Sequence, residues 1–345
     1  MPAPLRLDLH VHMVGNGSAG CGGWLRLRGW HRWLAGFMVA QLGFPPEIIE
    51  GDLEAVYAQH LLELLRTSSF DALVLLAHEQ VYDPNGKLRA DLGSMYVPNE
   101  VVLALAQEHP EFLPGVSIHP ARSDAMAELE RCLERGAVLM KCLPNCQNIE
   151  CSDPRYRRFW ERMAEARLPL LAHTGGEHTI PVVNRKLANP NILRLPLECG
   201  VTVIAAHCAT RSGPSDHDYF RDWVAMLAEF PNLYGDISAM VSLNRCGHLC
   251  DCLRPEILPR ILHGSDFPVP VLGYRLWLQR WIDWKILRAA QAVENPLDRD
   301  WGFKVALDFP EEIRTRAASL LRIDPARDAL IPRREIAEEP PAPNE

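Results

Sequence analysis

The chain has 345 residues, of which 48% are hydrophobic, and this is enough to bury a sizeable core. Its 36 basic and 44 acidic residues give a formal net charge of −8. This balance lacks the basic footprint of nucleic-acid-binding proteins, so no nucleic-acid partner is expected.

Apolar, β-branched runs alternate along the chain with longer amphipathic segments, as in α/β proteins with a parallel sheet. Strands are predicted at residues 5–12, 72–77, 113–118, 137–142, 169–173, 201–207, 233–237 and 260–264. Helices are predicted at 53–67, 99–108, 123–135, 153–166, 192–199 and 215–230, with weaker patterns at 252–258 and 311–321.

The chain has eight predicted strand–helix units, which is the number that closes a (β/α)8 barrel. An open doubly wound sheet is disfavoured, because no glycine-rich phosphate loop follows an early strand. We therefore predict an α/β fold, a distorted (β/α)8 TIM barrel that forms a single domain over residues 1–336. Insertions follow strands 1 and 8, at 13–51 and 270–310, and a disordered tail follows at 337–345. The insertions are rich in tryptophan and are expected to cap the barrel mouth or to form contacts in a homo-oligomer.

No secretory signal is expected, because no long apolar run precedes the charged and histidine residues near the N-terminus. The longest apolar stretch, at residues 33–40, is far shorter than the roughly 20 residues of a transmembrane helix. The ten cysteines are spaced irregularly, so reduced thiols are favoured over a disulfide framework. We expect a cytoplasmic protein without a membrane partner.

The first predicted strand carries the most informative motif, Asp8-Leu-His10-Val-His12. Side chains alternate between the two faces of a strand, so Asp8, His10 and His12 are predicted on one face and the apolar residues on the other. Two imidazoles on one face can hold a metal ion. An isolated His-x-His would be interpreted more simply, as polar lining of a barrel interior.

Polar side chains also stand at the ends of later predicted strands. Lys141 ends the fourth strand, His173 the fifth and His207 the sixth, and Asp266 follows the eighth. In a barrel these C-terminal ends converge on one mouth, where such enzymes place their active sites. Imidazole nitrogen and carboxylate oxygen are suitable ligands for zinc and similar divalent ions. The predicted metal site comprises His10, His12, Lys141, His173, His207 and Asp266.

In this order and spacing, the motifs resemble those of the amidohydrolase superfamily, in its branch of amidohydrolase-related (amidohydrolase 2) TIM-barrel metal-dependent hydrolases. The matching pieces are Asp8-Leu-His10-Val-His12, Lys141, His173-Thr-Gly-Gly, His207 and Gly264-Ser-Asp266-Phe-Pro. They extend over residues 8–268, which is most of the chain.

The resemblance implies roles for these residues. The first metal would be bound by His10, His12, His173 and Asp266. Asp266 would also take a proton from the metal-bound water. His207 would either bind a second metal together with a carboxylated Lys141 or polarise the substrate beside a single metal. One zinc ion is favoured, and the alternatives are two ions, Mn²⁺ or another divalent metal.

The predicted catalytic residues are Asp266 and His207, and the predicted substrate-binding residues are His119, His178 and Arg245. The main hypothesis is a metal-dependent hydrolase that attacks a C–N or C–O bond of a small molecule with metal-bound hydroxide.

Two alternatives remain open. One is a zinc-dependent decarboxylase or hydratase of a small carboxylic acid, which would be favoured if Arg245 or Lys141 binds the carboxylate. An apolar, arginine-poor pocket would instead favour neutral esters, lactones or amides. The other alternative is a non-catalytic metabolite-binding barrel, and the intact Asp266 argues against it.

Overall fold

The computed structural model describes residues 3–334, so the predicted tail at 337–345 lies outside the described residues. Within the described part, eight parallel strands form one sheet whose order follows the chain. The strands are β1 Leu7–His12, β2 Ala72–Leu76, β3 Phe112–Val116, β4 Leu139–Cys142, β5 Leu170–His173, β6 Val203–Ala206, β7 Leu233–Asp236 and β8 Ile261–Leu262.

The sheet curls until its first and last strands meet. β8 is short, but the segment that follows it pairs with β1. The His12 amide donates to the Phe267 carbonyl oxygen at 2.9 Å, and the Asp266 amide donates to the His10 carbonyl oxygen at 2.9 Å. The predicted distorted (β/α)8 barrel is confirmed, and this irregular seam between β8 and β1 is one source of the distortion.

The strands are buried on both faces, as is usual for parallel sheets covered by helices. Leu73 and Leu75 of β2 belong to the outer apolar cluster that packs against the helices. Val74 and Leu76 belong to the inner cluster that fills the barrel. Residues two apart on a strand therefore share one of these two environments.

An extra residue in β1 changes the direction of its side chains. Asp8 lies opposite Leu73, which faces the helices, whereas His12 lies opposite Leu76, which faces the barrel interior. The pairing register shifts by one residue between Asp8 and Val11, which defines a β-bulge. The prediction that Asp8 shares a face with the two histidines is therefore wrong, because the extra residue reverses the alternation.

Helices cover the outside of the barrel. The main helices are Leu53–Thr67, Asn99–Glu108, Ala125–Glu134, Arg157–Glu165, Arg194–Glu198 and Phe220–Glu229, with short ones at Pro144–Gln147, Glu312–Thr315, Ala317–Leu320 and Pro325–Asp328. The helix predicted at 252–258 is wrong. Two 3-10 turns, Cys250–Leu253 and Leu258–Arg260, occur there instead, because Pro255 and Pro259 have no amide proton for a helical hydrogen bond.

The first insertion, residues 13–51, lies over the barrel mouth. It contains the strand Trp24–Leu25, paired with Met95–Tyr96 of a later loop, the cap helix Trp30–Gln41 and the 3-10 helix Pro46–Glu50. The cap helix directs Leu34 and Met38 toward the mouth, whereas Trp30 and Trp33 are each 60% exposed. The mouth is therefore covered by aliphatic side chains of this helix, and these two tryptophans face outward.

The second insertion forms three helices, Tyr274–Leu278, Trp284–Gln291 and Pro296–Val305. Trp301 is buried, and Trp277 and Trp284 are exposed. Among residues 3–334, no helix combines the length and apolar character needed to cross a membrane. Homo-oligomer formation stays a prediction.

Candidate active site

Three of the predicted metal ligands meet at the barrel mouth. Nε2 of His10 and Nε2 of His12 each lie 3.2 Å from Oδ1 of Asp266. Burial alone would raise the pKa of Asp266, but His10, His12 and Lys141 hold this pKa well below its ordinary value, so the carboxylate is ionised. Two imidazole nitrogens and a carboxylate oxygen at one point are a donor set that fits a divalent cation.

Asp236, at the end of β7, orients His10. Its Oδ2 lies 2.8 Å from His10 Nδ1, and its Oδ1 accepts the His207 amide proton at 2.8 Å. Burial alone would raise the pKa of Asp236, but His10 and His207 hold it well below its ordinary value. An ionised carboxylate at Nδ1 places the His10 proton there, which leaves the Nε2 lone pair for a metal. Asp236 is not among the residues predicted from the sequence, although it lies at the end of a predicted strand, as the other predicted ligands do.

His207 is held in a defined tautomer. Its Nδ1 lies 2.9 Å from the Ser238 carbonyl oxygen, which can only accept a hydrogen bond, so Nδ1 carries the proton. Burial lowers the pKa of His207 well below its ordinary value, so the ring is neutral and its Nε2 is unprotonated. That Nε2 lies 4.0 Å from Asp266 Oδ2. His207 is therefore prepared to bind a metal or to accept a proton.

His207 and Asp266 also share an unusual backbone conformation. Their φ angles are 59° and 65°, in the left-handed region that side chains other than glycine rarely adopt. Such conformations cost roughly 1–3 kcal/mol each and concentrate at functional sites. Here the sharp turns after β6 and β8 direct both side chains into the mouth.

His173, at the end of β5, lies next to His207 but outside the group formed by His10, His12 and Asp266, and it faces a different neighbour. Its ring centroid is 5.0 Å from that of His207, while its Nε2 lies 3.4 Å from Glu177 Oε2 and 3.2 Å from the Gly176 carbonyl oxygen. Burial lowers the pKa of His173 to about 3, so the ring is neutral. The loop after β5 thus brings a second carboxylate to the mouth.

Lys141, on β4, is fully buried beside His10. Its Nζ lies 2.9 Å from His10 Nε2, the nitrogen that also faces Asp266. Burial lowers the pKa of Lys141 and so increases the fraction of neutral amine, the form that can be carboxylated. The position is compatible with either role predicted for this lysine.

The three residues predicted to bind substrate lie outside the lining of the mouth cavity. The buried His119 ring stands beside Tyr82, with ring centroids 5.0 Å apart, and its Nδ1 accepts the Ala121 amide proton. His178 Nε2 lies 2.8 Å from an Asp216 carboxylate oxygen. Their roles toward substrate stay predictions.

Arg245 is buried behind the loop that carries Glu177. It donates through Nη1 to the Thr210 carbonyl oxygen at 3.1 Å and through Nη2 to the Gly176 carbonyl oxygen. In this structure its guanidinium holds the loop in place, and its predicted role in substrate binding stays a prediction.

A cavity of about 1100 Å³, which includes its solvent-open part, lies between the predicted metal ligands and the first insertion. The polar side chains that line the cavity include His78 and Glu177. Most other lining side chains are apolar, among them Leu25, Leu27, Leu34, Ala35, Met38, Val39, Leu42, Phe44 and Ile49. No lysine or arginine is present among the described residues that line this cavity.

Comparison with protein families identifies one match. A family model described as amidohydrolase matches residues 8–316, which is most of the chain. No curated protein is similar enough in sequence to count as a match.

Solved structures support the same barrel. An uncharacterized Tim-barrel protein from Bordetella bronchiseptica is 18% identical over 87% of this chain and 99% of its own, with a TM-score of 0.56. A putative 2-pyrone-4,6-dicarboxylic acid hydrolase from Pseudomonas putida is 16% identical over 95% and 97%, with a TM-score of 0.51. A 5-carboxyvanillate decarboxylase from Sphingomonas paucimobilis is 13% identical over 93% and 100%, with a TM-score of 0.51. At these identities the likeness establishes the fold.

Proposed function

Because the chain belongs to the amidohydrolase family, we propose that it is a metal-dependent hydrolase that cleaves a C–O or C–N bond of a small neutral molecule. The substrate classes are esters, lactones and amides. The observation that carries the choice of a neutral substrate is the apolar mouth cavity without a lining lysine or arginine. Apart from the proposed metal, a carboxylate substrate would meet Glu177 there, with no lysine or arginine in the lining to bind it.

The proposed metal is a single zinc ion held by His10, His12, His173 and Asp266. Manganese or another divalent ion is an alternative, and His207 with a carboxylated Lys141 would hold a second ion. When bound, such an ion lowers the pKa of a water molecule and polarises a carbonyl group. Asp266 is already ionised beside this position, so its Oδ2 can accept a proton and return it to a leaving group.

Two other side chains complete the proposed site. His207 Nε2, unprotonated and 4.0 Å from Asp266 Oδ2, can accept a hydrogen bond from the proton that Asp266 holds before that proton passes to the leaving group. His78 lines the cavity, and burial lowers its pKa to about 3, so it offers a neutral imidazole for a hydrogen bond to the substrate.

The alternative proposal is a zinc-dependent decarboxylase or hydratase of a small carboxylic acid. It depends on Lys141, whose amine is within 2.9 Å of a predicted metal ligand and could pair with a substrate carboxylate. A non-catalytic metabolite-binding barrel would retain the metal and lack turnover of any of these classes.

The test begins with metal content, measured by mass spectrometry after reconstitution with zinc or manganese. The loaded protein is then assayed on matched esters, lactones, anilides and carboxylic acids. We expect hydrolysis of neutral substrates and, in Asp266→Asn, a loss of about 10²–10⁴-fold in kcat. Release of carbon dioxide from the acids without hydrolysis would favour the alternative. A protein that cannot be loaded with metal would contradict the proposal as a whole.

A further inference from the structure

One segment builds the apolar part of the mouth cavity. The cap helix contributes Leu34, Ala35, Met38 and Val39, and Leu42 directly follows its last residue. These five residues recur at the three- and four-residue spacing of a single helical face. From His31 to Leu42, both of which line the cavity, an α-helix rises about 16 Å. This apolar wall is longer than a scissile ester or amide group requires.

The wall is only half-covered by the protein itself. None of the residues of the cap helix is fully buried, although four of its apolar side chains face the cavity. When a ligand removes apolar cavity surface from contact with water, the free energy of binding becomes more favourable. A ligand with a long apolar part would therefore be stabilised here in proportion to the length it buries.

We propose that this wall is the subsite for an unbranched aliphatic chain of the substrate, so that the natural substrate is an acyl ester, an alkyl lactone or an N-acyl amide. The assignment of the reacting group rests on the proposed function, whereas binding of the chain does not. An aliphatic chain matches the wall because the wall is elongated and mainly aliphatic. Phe44 and Tyr57 supply the aromatic rings of the lining.

The expected selectivity follows from the area buried by each methylene. Burial of one methylene corresponds to about a fourfold increase in kcat/KM, and the increase ends where the chain outgrows the wall. Metal-loaded protein is assayed on p-nitrophenyl acetate, butyrate, hexanoate, octanoate, decanoate and dodecanoate. A steady rise followed by a plateau supports the subsite.

Two matched variants locate the effect. Ala35→Trp fills the wall, and we expect it to abolish the rise for longer chains, measured as the ratio of kcat/KM for the decanoate to kcat/KM for the acetate. Ala40→Trp makes the same change on the exposed side of the same helix and should preserve the wild-type series. Val39→Trp, also in the wall, replaces Ala35→Trp if that variant does not fold.

A binding measurement separates this inference from the proposed reaction. Fluorescence of N-phenyl-1-naphthylamine reports occupancy of an apolar site, and its displacement by ethanol, hexanol and decanol is measured on the whole chain. If no ester, lactone or amide is hydrolysed but decanol displaces the dye from wild type and Ala40→Trp and not from Ala35→Trp, the subsite is supported and the proposed reaction fails. A kcat/KM that does not change with chain length among esters that are hydrolysed, or equal displacement of the dye by decanol in both tryptophan variants, overturns the subsite.

Discussion

Replacement of Asp236 by asparagine tests whether the tautomer of His10 controls metal binding. The Asp236 carboxylate lies 2.8 Å from His10 Nδ1 and requires a proton on that nitrogen. Asparagine can still accept the His207 amide proton through its oxygen, but it then presents an NH₂ group to His10. The imidazole is expected to move its proton to Nε2, and this removes the lone pair that faces Asp266.

The magnitude follows from the effect of losing such an orienting carboxylate, which weakens metal affinity about 10–100-fold, or about 1.4–2.8 kcal/mol. The assay is competition for zinc against a chromophoric chelator, with kcat/KM measured at saturating metal. Asp91→Asn is the matched control, because Asp91 is exposed and pairs with Arg89 at the surface. Wild-type zinc affinity in Asp236→Asn would refute this account of His10.

The remaining predictions concern stability, charge and metal removal. Arg6→Met removes the guanidinium that lies 2.8 Å from the buried Asp71 carboxylate and leaves only the amides of residues 6 and 334 to donate to it, so we expect a loss of about 3 kcal/mol in urea unfolding. Arg32→Met, at an exposed ion pair, should lose no more than about 1 kcal/mol. Burial alone would raise the pKa of Asp71, but Arg6 lowers it. The stability that the ion pair contributes is therefore present above about pH 4 and is lost as the pH falls further. A stability difference between wild type and Arg6→Met that does not change with pH would contradict this account. Glu177→Gln removes a negative charge beside His173 and should tighten inhibition by simple carboxylates about tenfold, measured as Ki; an unchanged Ki would show that this charge does not exclude acids. Removal of metal with a chelator should lower the melting temperature, and zinc should restore it in proportion to the logarithm of its free concentration.

Local patterns along the chain were sufficient for most of the barrel. The helices Leu53–Thr67 and Asn99–Glu108 have the predicted bounds, because their apolar residues recur with helical spacing in windows long enough to show it. The pattern failed at 252–258, where apolar spacing suggested a helix and Pro255 and Pro259 prevented one.

The candidate site was only partly predictable, because some of its residues lie at strand ends and others are positioned by loops. That His10, His12 and Asp266 converge follows from their positions at strand ends in a barrel, since the topology brings those ends to one mouth. Asp236 obeys the same rule and could have been found by it. Glu177 could not, because its approach to His173 depends on how a loop folds over the mouth.

The sequence by itself therefore determined the eight-stranded barrel and the histidine and carboxylate side chains at its mouth, because periodicity and the order of strands along the chain are local properties. Only the tertiary structure decided which way individual side chains face. The Asp8 side chain points away from the mouth because β1 contains one extra residue, and this extra residue is evident only from the pairing of β1 with β2. The cap helix turns aliphatic side chains inward and Trp30 and Trp33 outward because its orientation is set by packing against the barrel, which no spacing within the helix encodes.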